Sequence, residues 1–171
     1  MLYRSTTMYG KARLVSNDEL IARHCVYAVI VIDDKIALQS TKSSGKLWFP
    51  GGKLDVGEQD TVGLMRETHE EMAIDIRIKN FLTNVESYFY YDPTDTAYRQ
   101  LSSFYLCDFV KGDISSRENP DSDDEATNPQ WYCISTIAEE QFQDYGWEII
   151  KRYVLPSHKN VVSSAFLKNP S

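Results

Sequence analysis

The chain has 171 residues, 42% of them hydrophobic and 25% charged, enough for one ordinary domain with a core of its own. Its net charge of −7 disfavours duplex nucleic acid, which needs a basic footprint, but still admits a small phosphorylated ligand neutralised by a bound cation. No apolar run nears the roughly 18 residues of a membrane span, and "MLYRSTTMYGKARL" lacks an apolar signal core, so a cytoplasmic protein without a membrane partner is expected.

In chain order, "HCVYAVIVIDDKIALQST" reads as two strands joined at Asp33-Asp34, a β-hairpin, with Val26 to Ile32 as the longest apolar run. "KLWFPGG" reads as a short strand stopped by Pro50 and two glycines, and Gln59 to Met72 as a helix. "DIRIKNFLTNVESYFYY" gives one or two strands, "DPTDTAYRQ" a loop, "LSSFYLCDFV" a strand and "KGDISSRENPDSDDEATNPQ" a long acidic loop. "WYCIST" is the next strand, and "TIAEEQF" and "GWEIIKRYV" read as helices. Strands, a helix, more strands and C-terminal helices imply a mixed sheet with helices packed on it, α/β or α+β in class. The expectation is a single domain over 1–171, with an N-terminal extension of about 1–22 and a C-terminal appendage of about 156–171. Cys25, Cys107 and Cys133 are odd in number and widely spaced, which suits small buried hydrophobes in a reducing compartment. His24, His69 and His158 are scattered, against a histidine-built metal site. Trp48 and Trp131 read as packing residues at strand ends.

The stretch "RETHEEMA" (Arg66 to Ala73) is unusual, because Glu67, Glu70 and Glu71 share one helical face, and like charges at that spacing destabilise a helix by roughly 0.2–0.5 kcal/mol per pair. Gly63 lies one turn earlier on that face, while Val62, Met65, Thr68, His69 and Met72 are placed toward the core. Such a face is either a solvated acidic surface or a site for a hard divalent cation, which takes oxygen ligands and shares them with substrate phosphates. Upstream, "PGGKLDVGE" adds Gly51 and Gly52, where the backbone can approach a ligand closely, and a fourth carboxylate, Glu58. Arg66 can hold a carboxylate in a fixed orientation.

Gly52, five residues, Glu58, seven residues and "RETHEEMAI" together resemble the Nudix box of the Nudix hydrolases, with Gly52, Glu58, Arg66, Glu67, Glu70, Glu71 and Ile74 matching. Thr68 stands where the pattern has an aliphatic residue and Ala73 where it has glycine. The resemblance spans Arg23 to about Val154. It implies an α/β fold, the Nudix-type α/β/α sandwich with a mixed β-sheet, and a metal-dependent hydrolase that cuts within the pyrophosphate of a nucleoside diphosphate linked to another group. By position, Glu67, Glu70 and Glu71 are the implied metal-binding acids with the Gly51 carbonyl, Glu58 supports the site and Arg66 orients Glu67. Glu67 or an acid of a later loop is the implied general base, so Glu67, Arg66 and Glu70 carry catalysis. Mg2+ is the implied cofactor, with Mn2+ as a substitute, and a homodimer is a family-level expectation.

"GGKLDVGE" looks like the branch acting on nucleoside triphosphates, oxidised ones included, with Lys53 either on phosphate or solvated. Alternatives are a nucleotide-sugar or dinucleoside polyphosphate hydrolase, or a silent nucleotide sensor. In "SYFYYDPTDTAYRQ", Tyr90 either stacks on a base or packs a strand. Asp124, in the acidic loop with Asp123 and Glu125, either contacts substrate or is solvated.

Overall fold

The long apolar run of the chain is a strand buried on both faces, β3 (Leu20–Ile32). Val26, Ala28 and Ile30 point to one side of the sheet and Tyr27 and Val29 to the other, into two separate core clusters. A strand buried on both faces has no polar alternation to show. The computed structural model describes residues 1–7, 10–42, 44–114 and 126–156. Around β3 it sets β1 (Leu2–Thr7), β2 (Ala12–Ser16), β4 (Lys35–Thr41), β5 (Leu47–Trp48), β6 (Gly51–Lys53), β7 (Ile74–Tyr91), β8 (Thr96–Gly112) and β9 (Ala126–Cys133). The helices are α1 (Asp60–Met72) and the short α2 (Gly146–Ile149), which runs on as a π-turn over Ile150–Val154.

The strands are ordered β2-β1-β7-β8-β3-β4-β5, with β6 also paired to β3 and β9 to β4. The sheet is mixed: β3 runs parallel to β8 and β1 parallel to β7, while β7 and β8 are antiparallel. One edge of β3 is taken by β8 along most of its length. The other edge is divided. β4 pairs only at Val31 and Ile32, and β6 pairs at Cys25, Val26 and Tyr27. The sheet therefore opens where β4 leaves β3, and the glycine segment enters that opening.

Helix α1 covers one face, burying Leu64 and Met72 against Val26, Ala28, Ile30, Ala37, Ile74 and Ile76. The C-terminal segment covers the other, with Phe142, Ile149, Ile150 and Val154 against Val29, Ile36, Leu38, Phe49 and Phe104. This is the α/β sandwich with a mixed sheet that the resemblance implied. No helix among the described residues is long and apolar enough to cross a membrane.

Several elements differ from their sequence reading. The two glycines do not end a strand: they form β6, because β3 supplies its backbone partners. Residues 96–100, read as loop, begin β8, and only Asp92–Thr94 forms the turn, as a 3-10 segment. Ala126 to Gln130, read as loop, already pairs with β4. Ile134–Thr136 and Glu139–Gln141 are 3-10 turns rather than strand and helix. The helix read over "GWEIIKRYV" is present, as α2 continued by the π-helical segment Ile150–Val154. Cys25 and Cys107 are buried as expected, whereas Cys133 is half-buried.

The two departures from the box pattern have local explanations. Thr68 is fully buried, and its hydroxyl donates to the Leu64 carbonyl one turn back at 2.7 Å, so a polar residue fills an apolar position without an orphaned group. Ala73 ends α1 in the left-handed conformation, φ 56 and ψ 31, with its N–H on the His69 carbonyl. An L residue there is disfavoured by roughly 1–2 kcal/mol, which glycine avoids. Ala73→Gly should therefore raise the urea unfolding free energy by about 1 kcal/mol at unchanged m value. A loss of stability would mean that the alanine methyl group packs better than its backbone is strained.

Candidate functional site

Helix α1 divides into three stripes. Leu64, Thr68 and Met72 enter the core. Gly63, Glu67 and Glu71 form the next row, and Arg66 and Glu70 the row beyond it. Val62 and Met65 were placed toward the core by their hydrophobicity, yet both are about half exposed, and His69 is exposed too. The true core arc is centred on Leu64 and Thr68, because the Thr68 hydroxyl is satisfied inside the helix.

Two glycines set how closely the loop meets the helix. A Cβ at Gly52 would lie 2.6 Å from Glu67 Oε2, and a Cβ at Gly63 would lie 2.2 Å from Leu54 Cδ2 and 2.8 Å from Glu58 Oε2. The missing side chains are thus the spaces that the two carboxylates occupy. Gly51 is fixed more strictly: at φ 130 its Cβ would meet the Val26 carbonyl oxygen at 2.0 Å.

Arg66 gathers the acids. Its Nε and Nη2 donate to the two oxygens of Glu58 at 3.0 and 2.8 Å. Its Nη1 donates to Glu67 Oε1 at 2.9 Å and Glu70 Oε2 at 3.1 Å. The side chains of Glu58 and Glu67 are 11% and 13% exposed, against 59% for Glu70. Glu71 is held from the other side, where its Oε2 accepts the Gly51 N–H at 2.7 Å and Gln39 Nε2 at 2.8 Å. The Arg66 hydrogen bonds pull the Glu58 carboxyl down to about 2, with the Asp55 N–H adding to the effect. The Glu58 contact in turn holds the Arg66 guanidinium above its usual range.

Could this group hold a cation? Its donors are carboxylate oxygens beside a glycine backbone, the hard oxygen set that magnesium and manganese take. The neighbouring Cys25 thiol is pushed up by burial and stays protonated. Among the described residues no three acids, histidines or cysteines already converge as a ligand set, because Arg66 separates Glu58, Glu67 and Glu70. The donor chemistry and the glycine spaces fit a hard cation, while binding one requires Glu67 or Glu70 to turn from Arg66.

The remaining candidates divide. Lys53 ends β6 opposite Cys25 and is exposed, with no ion pair among the described residues. Tyr90, a candidate for stacking on a base, is instead a core residue. It is 4% exposed among Val15 and Ala97, with Arg13 over its ring and its hydroxyl on Asp95. Alternation along β7 turned it inward. Asp124, with Asp123 and Glu125, lies outside the described residues. Gln39 escapes a reading of the sequence, because one polar residue near the end of "KIALQST" looks like fraying. Its only signal is an inward position two residues after Ala37. His24 Nε2 lies 2.8 Å from Ser103 Oγ and 3.6 Å from Asp60 Oδ2. One ring nitrogen faces both partners, so the trio lacks the relay of a nucleophilic triad, which uses the two nitrogens separately.

A sequence profile of the NUDIX domain matches residues 22–153. Among solved structures, a MutT NUDIX hydrolase from Burkholderia pseudomallei superposes with TM-score 0.64 at 21% identity, over 78% of this chain and 99% of that one. A UDP-X diphosphatase gives 0.54 at 18%, over 85% and 64%. An ADP-ribose pyrophosphatase from Streptococcus suis gives 0.52 at 16%, over 87% and 96%. No curated protein matches the chain. At these identities the structural likeness establishes the fold.

The Glu58–Arg66 pair has a pH signature. With its folded value depressed, ionised Glu58 stabilises the fold fully above the unfolded carboxylate value of about 4.3, and that contribution is lost as pH falls toward about 2. Glu58→Gln should flatten the pH dependence of the urea midpoint across that window. An unchanged slope would show that the pair is not coupled to folding.

Proposed function

The chain belongs to the NUDIX family and is a pyrophosphohydrolase, and from that premise we propose that it hydrolyses the pyrophosphate bond of a nucleoside triphosphate, standard or oxidised, with Mg2+ as cofactor and Mn2+ as a substitute. The observation that carries the metal reading is the locking of helix to loop. Glu71 is fixed on the Gly51 N–H while Arg66 holds Glu58, Glu67 and Glu70 on the same side of α1.

In this reading Glu67, Glu70 and Glu71, with the Gly51 carbonyl, hold the cation. When bound, it neutralises phosphate oxygens and makes a bound water more acidic. The protein supplies position and proton transfer. Arg66 keeps Glu58 ionised and Glu58 keeps Arg66 in place. In this reading Glu67, or an acid of a later loop, takes the proton from the attacking water, and Glu70 acts beside it on the cation. Lys53, exposed at the end of β6, is assigned to phosphate. The homodimer is proposed on family grounds, and sedimentation tests it.

A second reading, a nucleotide-sugar hydrolase, is favoured by the likeness to a UDP-X diphosphatase and an ADP-ribose pyrophosphatase. A panel of nucleoside triphosphates, nucleotide sugars and dinucleoside polyphosphates, assayed with Mg2+ and analysed for products, separates the two. Pyrophosphate released from triphosphates supports the first reading, and monophosphates released from nucleotide sugars support the second. Nucleotide binding without hydrolysis of any member would instead indicate a sensor. Glu70→Gln and Glu71→Gln should each lower turnover more than about 100-fold, beyond the effect of a supporting residue, with far-UV circular dichroism unchanged. Full turnover in both variants would remove these acids from the site.

A further inference from the structure

Gln39 is 3% exposed in β4, on the face of the sheet that α1 covers. Its Nε2 donates to Glu71 Oε2 at 2.8 Å, the same oxygen that receives the Gly51 N–H. That contact fixes which way the amide points, since only its nitrogen can donate to a carboxylate. The amide oxygen shares a carbon with that nitrogen, so Oε1 also sits within a few ångströms of Glu71. It is buried and meets no donor among the described residues. Thr68, on the helix that covers this face, bonds to Leu64; Ser5 Oγ and Gln143 Oε1 are the other buried side-chain atoms without a partner among the described residues. A buried acceptor left in this state is unfavourable, and a methionine or leucine at the same strand position would avoid it.

We propose that Gln39 is a positioning residue of the metal site. Its Nε2 fixes the Glu71 carboxylate, and its Oε1 accepts a hydrogen bond from a water carried in with the hydrated divalent cation. The proposal rests on the metal reading given above. Magnesium gives up water reluctantly and usually keeps several on binding. Groups that orient a ligand from behind commonly change metal affinity 10–100-fold when removed. Glutamine at this position supplies both a donor to Glu71 and an acceptor to water, which no apolar residue of similar size can do.

Mn2+ is the probe, with free ion counted by electron paramagnetic resonance during titration of wild type and Gln39→Met. Gln39→Leu replaces the methionine variant should that one fail to fold. The expected result is about 10–100-fold weaker Mn2+ binding, with any fall in the metal-free unfolding free energy smaller than the loss of Mn2+ binding free energy. Equal Mn2+ affinity overturns the proposal, as does weaker binding accompanied by a matching fall in metal-free stability, which would mark a structural role. Wild-type protein that binds no Mn2+ overturns the metal reading itself, and this proposal with it.

Discussion

Arg66 places one cation among three carboxylates, and the geometry of the loop–helix junction depends on that arrangement. Glu58 comes from the loop, whereas Glu67 and Glu70 come from the helix. Without a shared counter-charge, crowded carboxylates would repel and the loop would have no fixed distance from α1. The Glu58 contact is bidentate and charge-assisted, the strong form of such a bond, and it is the least exposed of the three carboxylates that Arg66 holds. Glu67 follows because Gly52 leaves room for it, and Glu71 follows because Gly51 presents an N–H to it. Charge and missing side chains therefore act together.

The same economy recurs in the core. The sheet is buried on both faces near its centre, yet β8 carries Gln100, Ser102 and Ser103 at buried positions and α1 adds Thr68. Each bonds to a neighbour already in place: Thr68 to its own helix, Ser103 to His24, and Gln100 and Tyr145 to Ser102. The Tyr145 contact links the C-terminal segment to β8, so one polar bond helps hold the cover over an otherwise apolar face. Trp48, Phe49 and Phe104 pack edge to face around it, an arrangement that suits aromatic rings.

Much of this was readable from residue types. The β3–β4 hairpin and the span of α1 follow from apolar runs and their breaks, and the acid cluster follows from spacing alone. What was not readable has physical causes. Gly51 and Gly52 have weak strand preference and become strand only because β3 offers backbone partners, which is context rather than propensity. Residues 96–100 look polar, but pairing with both β7 and β3 draws them into β8. Thr68 hides the core face of α1, because its hydroxyl is satisfied in a way no letter reveals. Gln39 is thirty-two positions from Glu71, so nothing local joins them.

The division of the β3 edges bears on how the chain folds. The parallel partner of β3 is β8, and Leu20 meets Ala97 as Ile30 meets Cys107. Between them in the chain come β4, β5, β6, α1 and β7. The β3–β4 and β7–β8 hairpins close over short turns at Asp33-Asp34 and Asp92–Thr94, while joining β3 to β8 closes a far longer loop and must meet its entropy first. Docking of the two hairpins is therefore the closure with the largest loop entropy to overcome. The acids belong to a different scale: Gly51, Glu58, Glu67 and Glu71 meet within one continuous stretch of chain. Chemistry in this protein is assembled from near neighbours, on a platform whose completion waits for the most distant ones.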